Sequence, residues 1–399
     1  MMFRSVIFLL TVALWMATGL PVSAAPDIVI FKPSATDSAI INFNDRHYAA
    51  VDPAVTQQGL LVVFLPGTGA VPFNYSEFIR NAASLGFNAL GLMYPNGSAI
   101  NELCVQNAPL DPDAAGNARL EVIDGTNRVS FLEVDRINSI ENRLIKALQY
   151  LHTNKPDKGW NQFFADDTVL WNKIILCGHS QGAGMAGMMA KTRFVNRCVM
   201  FTDMDWWQFG NRPYNWMSTS SQTPLNRWFM LAHERDQFLP FTNMLAAASA
   251  LGIDHYGACV QVETSDSANF YGRHFLSTNL EPSTNAPTSY HGMPVVDTAI
   301  PYQPDGKTPV LKATWDYLLL YSTVPPPAFI SSAAIATGTM SFAISNLTET
   351  ATNRVLRCYD LLSPVWSTAC TFTATSGQTN WTEPLSNQWE KVFYKIESE

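Results

Sequence analysis

The stretch KIILCGHSQGAGMAGMMA, residues 173–190, decides the fold. Lys173 to Cys177 is a short apolar run of strand length, and from Ala183 onward small and sulfur-bearing residues suit a closely packed helix. Between them lies Gly178-His179-Ser180-Gln181-Gly182, a G-x-S-x-G pentapeptide. A strand passing directly into a helix forces Ser180 onto a sharp, strained turn. The flanking glycines leave room for the backbone to close, and Oγ is held out at the head of the helix. The pentapeptide alone is a weak signal. The strand before it and the helix after it make Ser180 a candidate nucleophile rather than an ordinary helix-capping serine.

Outward from this stretch, the chain from about Gly59 to Thr323 alternates short apolar runs with longer segments of helical period, the pattern of a mostly parallel sheet flanked by helices. Upstream, LLVVFL (60–65) is a buried strand that stops at Pro66-Gly67-Thr68-Gly69, and a helix is expected over 74–85. Phe87 to Met93 is the next strand, ending at Tyr94-Pro95-Asn96-Gly97. A polar insertion rich in Asp and Asn fills 101–128. Ile137, Ile140, Leu144, Ile145, Leu148 and Leu151 then recur at helical spacing. Downstream, strands are expected at Cys198 to Phe201 and Trp228 to Leu231, and a last helix at Lys312 to Tyr321. The fold class is therefore α/β over 25–323. Pro325-Pro326-Pro327 stiffens a linker over 324–328. Residues 329–399 carry short alternating runs such as TMSFAI and KVFYKI, which predict a small all-β module of sandwich type.

Composition narrows the function classes. The chain has 33 Asp and Glu against 25 Lys and Arg, and no basic cluster, which argues against nucleic acid or an anionic membrane as partner. Arg4, the apolar block Ser5 to Leu20 and the small residues Val22-Ser23-Ala24-Ala25 read as a signal peptide over 1–24, so a secreted or periplasmic protein is expected. No later stretch is long and apolar enough for a transmembrane segment. In such a compartment the six cysteines are permitted to pair. Cys177 and Cys198 read as core thiols, Cys358 and Cys370 are the best disulfide candidates, and Cys104 with Cys259 is the other pairing. No Cys or His spacing matches a metal site.

LPGTGA (65–70) and GHSQG (178–182) together resemble the oxyanion loop and nucleophile elbow of the α/β-hydrolase superfamily, most closely its secreted bacterial lipase-, cutinase- and esterase-like members. The resemblance covers about residues 59–323 in element order. It implies a serine hydrolase with a catalytic triad, no cofactor, and an oxyanion hole built from the amides of Gln181 and Thr68, with Gly69 as the alternative to Thr68. The superfamily's chain order, serine then acid then histidine, leaves His255, His274 and His291 of the seven histidines. His291, in a loop before the last helix, ranks first as general base; His274 in RHFLST reads as a structural histidine. Asp236, capping the strand at Trp228 to Ala232, ranks first as acid. Asp205, with Asp203 beside it, is the competitor after the preceding strand, and Glu234 points elsewhere if its strand continues.

These residues predict carboxylic ester hydrolysis through an acyl-enzyme intermediate. The aromatic segment holding Trp206 and Trp207 is a candidate wall of the substrate pocket, for an ester that is polymeric or lipid. The C-terminal module is a candidate binder of polymer or the cell surface. The rival readings are a peptidase or amidase on the same triad and a catalytically silent binding protein.

Overall fold

The computed structural model describes residues 26–203, 205–265, 270–321, 329–336, 338–345, 347, 352–360, 364–375, 378–384 and 392–398. The expected signal peptide over 1–24 and the Pro-rich linker over 324–328 lie outside the described residues.

Nine strands make one sheet: β1 (Asp27–Phe31), β2 (His47–Val51), β3 (Leu61–Leu65), β4 (Asn88–Gly91), β5 (Ile174–His179), β6 (Arg197–Phe201), β7 (Trp228–His233), β8 (Val260–Gln261) and β9 (Phe275–Thr278). Their spatial order is β1-β2-β4-β3-β5-β6-β7-β9-β8. β1 and β2 run antiparallel at one edge, and every pairing from β4 and β3 onward is parallel. This is the α/β-hydrolase fold. The antiparallel edge precedes Gly59, where no sheet strand is expected from sequence. β1 reads DIVIF, with isoleucine at its exposed positions 28 and 30, so its sequence shows no apolar–polar alternation.

Parallel strands buried on both faces need apolar residues at every position, and β3 supplies them. Leu61, Val63 and Leu65 join one core cluster, while Val62 and Phe64 join the other. Each such side chain, fully withdrawn from water, contributes about 1.5–3 kcal/mol. The first cluster is covered by α2 (Ile100–Asn107), α3 (Ala114–Asp124), α4 (Ile140–Asn154), α5 (Gln181–Thr192) and α6 (Phe241–Leu251). The second lies under α1 (Ser76–Ser84) and α8 (Lys312–Leu320). A four-residue helix, α7 (Ser289–Gly292), stands beyond the C-terminal ends of the strands. The polar insertion at 101–128 contains most of α2 and all of α3, with Ala115, Ala118, Val122 and Ile123 facing the core.

The C-terminal region forms two three-stranded antiparallel sheets. One orders β10 (Phe329–Ala336), β11 (Thr339–Ser345) and β14 (Gln378–Pro384); the other places β12 (Thr352–Cys358) between β13 (Ser367–Thr373) and β15 (Phe393–Ser398). Phe342 stacks on Trp381 in its own sheet and meets Tyr394 of the other at 4.7 Å between ring centroids, giving a small core of sandwich type.

All six cysteines are free. The register explains Cys358 and Cys370: Cys370 faces Val355, while Cys358 faces Phe393. Three residues along a strand is about 10 Å, beyond the reach of a disulfide.

Candidate active site

β5 delivers Ser180 to the head of α5 with φ 55° and ψ −121°, a conformation that costs a non-glycine residue roughly 1–3 kcal/mol. Its backbone is held by Ser180 N donating to Phe201 O at 2.9 Å and by Ala183 N donating to Ser180 O at 2.9 Å. Both motif glycines are required by space. A Cβ at Gly178 would be driven into the Gly182 carbonyl, and one at Gly182 into the Leu65 carbonyl. The two glycines thus let the α5 backbone approach β3 this closely without a clash.

Ser180 lies on a cavity of about 670 Å³ that is also lined by Gly67, Thr68, His179, Gln181 and His291. The turn after β7 carries Asp236 and α7 carries His291, 55 residues apart in sequence. His291 Nδ1 and Asp236 Oδ2 are 2.6 Å apart, with both side chains buried. The other carboxylate oxygen of Asp236 accepts from the amides of Phe238 at 2.8 Å and Leu239 at 3.2 Å. Burial alone pushes this carboxyl's pKa up, but the bond and charge of His291 with the two amides outweigh it and hold the group below the ordinary carboxylate range.

The PGTG loop is pinned by Tyr75, Asn96 and Gln181. Thr68 Oγ1 donates to Gln181 Oε1 at 3.0 Å, and the same oxygen accepts from Ile100 N at 3.1 Å. Among the described residues, no acceptor faces the amide of Thr68 or that of Gln181, and both residues border the serine. Gly69, the alternative donor, is committed elsewhere: its amide donates to Asn96 O at 2.8 Å.

His179 was read from sequence only as part of the elbow, yet it joins the two halves of the site. Its Nε2 lies 3.0 Å from the carbonyl oxygen of His291, which can only accept, so Nε2 carries the proton. Burial, aided by the neighbouring His291, pushes its pKa down to about 3, so the ring is neutral and Nδ1 accepts from the Tyr75 hydroxyl at 3.0 Å. That hydroxyl in turn accepts from Gly67 N at 3.0 Å. One chain of hydrogen bonds therefore runs from the PGTG loop through Tyr75 and His179 to His291. Gln237 was also missed: its Oε1 accepts from His291 N at 2.9 Å, while the Phe238 ring meets the imidazole edge-on at 4.8 Å.

The competitors sit elsewhere. Asp205 is buried in a forked ion pair with Arg119, whose Nε donates at 2.5 Å, and it also accepts from Trp216 Nε1 at 2.8 Å. Arg119 Nη1 donates to Gln181 O at 2.9 Å, so this pair braces the first turn of α5. Asp203 is buried at the end of β6. Glu234 turns toward β9 and accepts from Ser277 Oγ at 2.8 Å. His274 is stacked against Tyr256 and Phe229, bonds Trp228 O through Nδ1 at 2.9 Å, and is driven by burial to a pKa of about 3. His255 is exposed on the turn before β8. Trp206 lines the cavity, whereas Trp207 does not: its indole donates to Pro109 O at 2.9 Å under the Arg212 guanidinium.

The Arg119–Asp205 pair gives a prediction that separates the two acids. Asp205→Ala leaves the buried Arg119 guanidinium without its ion-pair partner, expected to cost about 3–5 kcal/mol of stability. Urea denaturation reads it directly. A variant of unchanged midpoint that nonetheless loses all turnover would transfer the acid's role to Asp205.

No protein-family profile matches the sequence, and no curated protein matches it. Among solved structures that match is an alpha-beta serine hydrolase homologue from Coxiella burnetii, 12% identical, covering 51% of this chain and 76% of that chain with a TM-score of 0.30. That likeness is too slight to bear on residues or substrate. The fold rests on strand order, and the site on its own geometry. Among the described residues no helix is long and apolar enough to cross a membrane, and no cluster of His, Cys, Asp and Glu has the make-up of a metal site.

Proposed function

We propose that the chain is a serine hydrolase that cleaves carboxylic esters, acting outside the cytoplasm once a leader over 1–24 is removed. The observation that carries this reading is the 2.6 Å Asp236–His291 bond beside an elbow serine on one cavity. Ser180 Oγ attacks the ester carbonyl carbon as His291 Nε2 takes its proton. Asp236, ionised, accepts Nδ1–H and stabilises the imidazolium. The amides of Thr68 and Gln181 receive the charge that develops on the carbonyl oxygen. His291 returns the proton to the departing alkoxide, leaving an acyl-Ser180 ester. Water, deprotonated by the same histidine, then attacks the acyl carbon; the bond to Ser180 Oγ breaks, His291 returns the proton to Oγ, and the acid leaves.

The cavity offers both apolar and polar contacts to an ester. Ile100, Val105, Trp206 and Phe238 line it with large apolar side chains, and Gln106 and Thr288 add a carboxamide and a hydroxyl. The expected result is a kcat/KM on an aryl ester well above that on the matched anilide. An anilide hydrolysed as fast as its ester would favour the peptidase reading.

A further inference from the structure

Every residue from 233 to 238 except Glu234 touches α7 or its flank, and the outermost contact belongs to a cluster that the chemistry above does not use. Arg235 immediately precedes Asp236, and Tyr290 immediately precedes His291. The Arg235 guanidinium lies 4.5 Å above the Tyr290 ring, and its Nη1 donates to Glu281 Oε1 at 2.8 Å and to Tyr290 Oη at 3.2 Å. Its Nε donates to Asn279 Oδ1 at 2.7 Å and its Nη2 to Asn279 O at 2.9 Å. Tyr290 Oη closes the ring by donating to Glu281 Oε2 at 2.8 Å. Asn279 and Glu281 follow β9, so one cation ties together the turn after β7, the turn after β9 and α7. None of Arg235, Tyr290 and Glu281 borders the cavity.

We propose that Arg235, Tyr290 and Glu281 form a surface clasp that sets the pitch of His291 against Asp236, and that they are positioning residues for the hydrolysis proposed above. α7 is one helical turn, too short to fix an imidazole by its own backbone bonds. An exposed ion pair adds little to folding stability. A forked guanidinium with five donors does, however, fix direction, and direction is what a general base requires: a displacement near 1 Å costs roughly a hundredfold in rate. Because the clasp is exposed, salt screens it, whereas the buried Asp236–His291 pair is screened far less. Turnover therefore carries an ionic-strength dependence that originates outside the cavity.

The test uses the full chain and its Arg235→Ala, Arg235→Lys and Tyr290→Phe variants, with kcat and KM on a soluble aryl ester read from low salt to about 1 M NaCl. Arg235→Ala is expected to lower kcat about tenfold with KM unchanged, and to flatten a salt dependence that the parent shows. Its thermal midpoint should stay within about 4 °C. Arg235→Lys keeps the charge without the fork and should fall between the two. A kcat within twofold of the parent, or kcat and KM falling together with a large loss of midpoint, overturns the clasp.

A second reading keeps this distinct from the fate of the ester assignment. The Nδ1–H proton of His291, bonded to Asp236, should give a far-downfield NMR resonance that Asp236→Asn abolishes and Arg235→Ala shifts or broadens. An unmoved resonance in Arg235→Ala refutes the clasp whatever the substrate. A moved resonance in a protein that hydrolyses no ester refutes only the proposed function.

Discussion

His291→Ala is expected to lower kcat on a small soluble ester by roughly 10⁴ to 10⁶, with KM little changed. The magnitude follows from the geometry of replacement. Of the other six histidines, the closest is His179, and both its nitrogens are spoken for by Tyr75 and by the His291 carbonyl. Its low pKa also makes it a poor proton acceptor. His274, the other late histidine, is enclosed between Tyr256 and Phe229 with its Nδ1 on Trp228. His274→Ala should therefore cost stability, by opening a cavity in the core, and leave the surviving folded protein active. Steady-state kinetics alongside a thermal melt separates the two variants. The assignment fails if His274→Ala abolishes turnover in a folded protein while His291→Ala does not.

Ser180→Ala is expected to remove turnover to a similar extent, with the melting midpoint close to the parent's. The strain at this position lies in the backbone, at φ 55° and ψ −121°, and alanine bears it as serine does. The loss is also non-additive. Once Oγ is gone, further removal of His291 or Asp236 should have almost no added effect, because the three groups act on one proton transfer. A double variant measurably slower than Ser180→Ala would show that the two residues serve different steps. Activity of Ser180→Ala within tenfold of the parent would place the nucleophile elsewhere.

How much of this was legible in the sequence can be followed residue by residue. β3 and β5 are legible because parallel strands buried on both faces must be continuously apolar, and GHSQG is legible because space at Gly178 and Gly182 admits no side chain. The pair α2 and α3 was hidden by its own chemistry. Arg119 and Glu121 are buried in α3, so two charged residues fall on the face that periodicity expects to be apolar. The same burial makes Arg119 a brace for Gln181. The edge strand β1 was hidden for the opposite reason: isoleucine occupies its exposed positions 28 and 30, so its sequence lacks the apolar–polar alternation that its burial pattern has.

Within the site, Asp236 and His291 were ranked by chain order, and the structure brings those two side chains together while leaving Asp205 with Arg119. Tyr75, Gln237 and Arg235 were not accessible to the same argument. Each acts through a contact with a residue far along the chain, and nothing in local spacing marks a tyrosine or glutamine as the partner of a histidine 104 or 54 residues away. The one local hint is adjacency: Gln237 and Arg235 flank the acid, and Tyr290 precedes the base.

Covalent labelling by a fluorophosphonate tests the central claim most directly, because the reagent phosphonylates only a serine whose oxygen is activated by a neighbouring base and whose new oxyanion is received by donors. The folded parent protein should gain a single adduct, found by peptide mass spectrometry on the fragment carrying Ser180. Labelling should disappear in Ser180→Ala and slow sharply in His291→Ala. An unlabelled parent, or an adduct on another residue, would contradict the account.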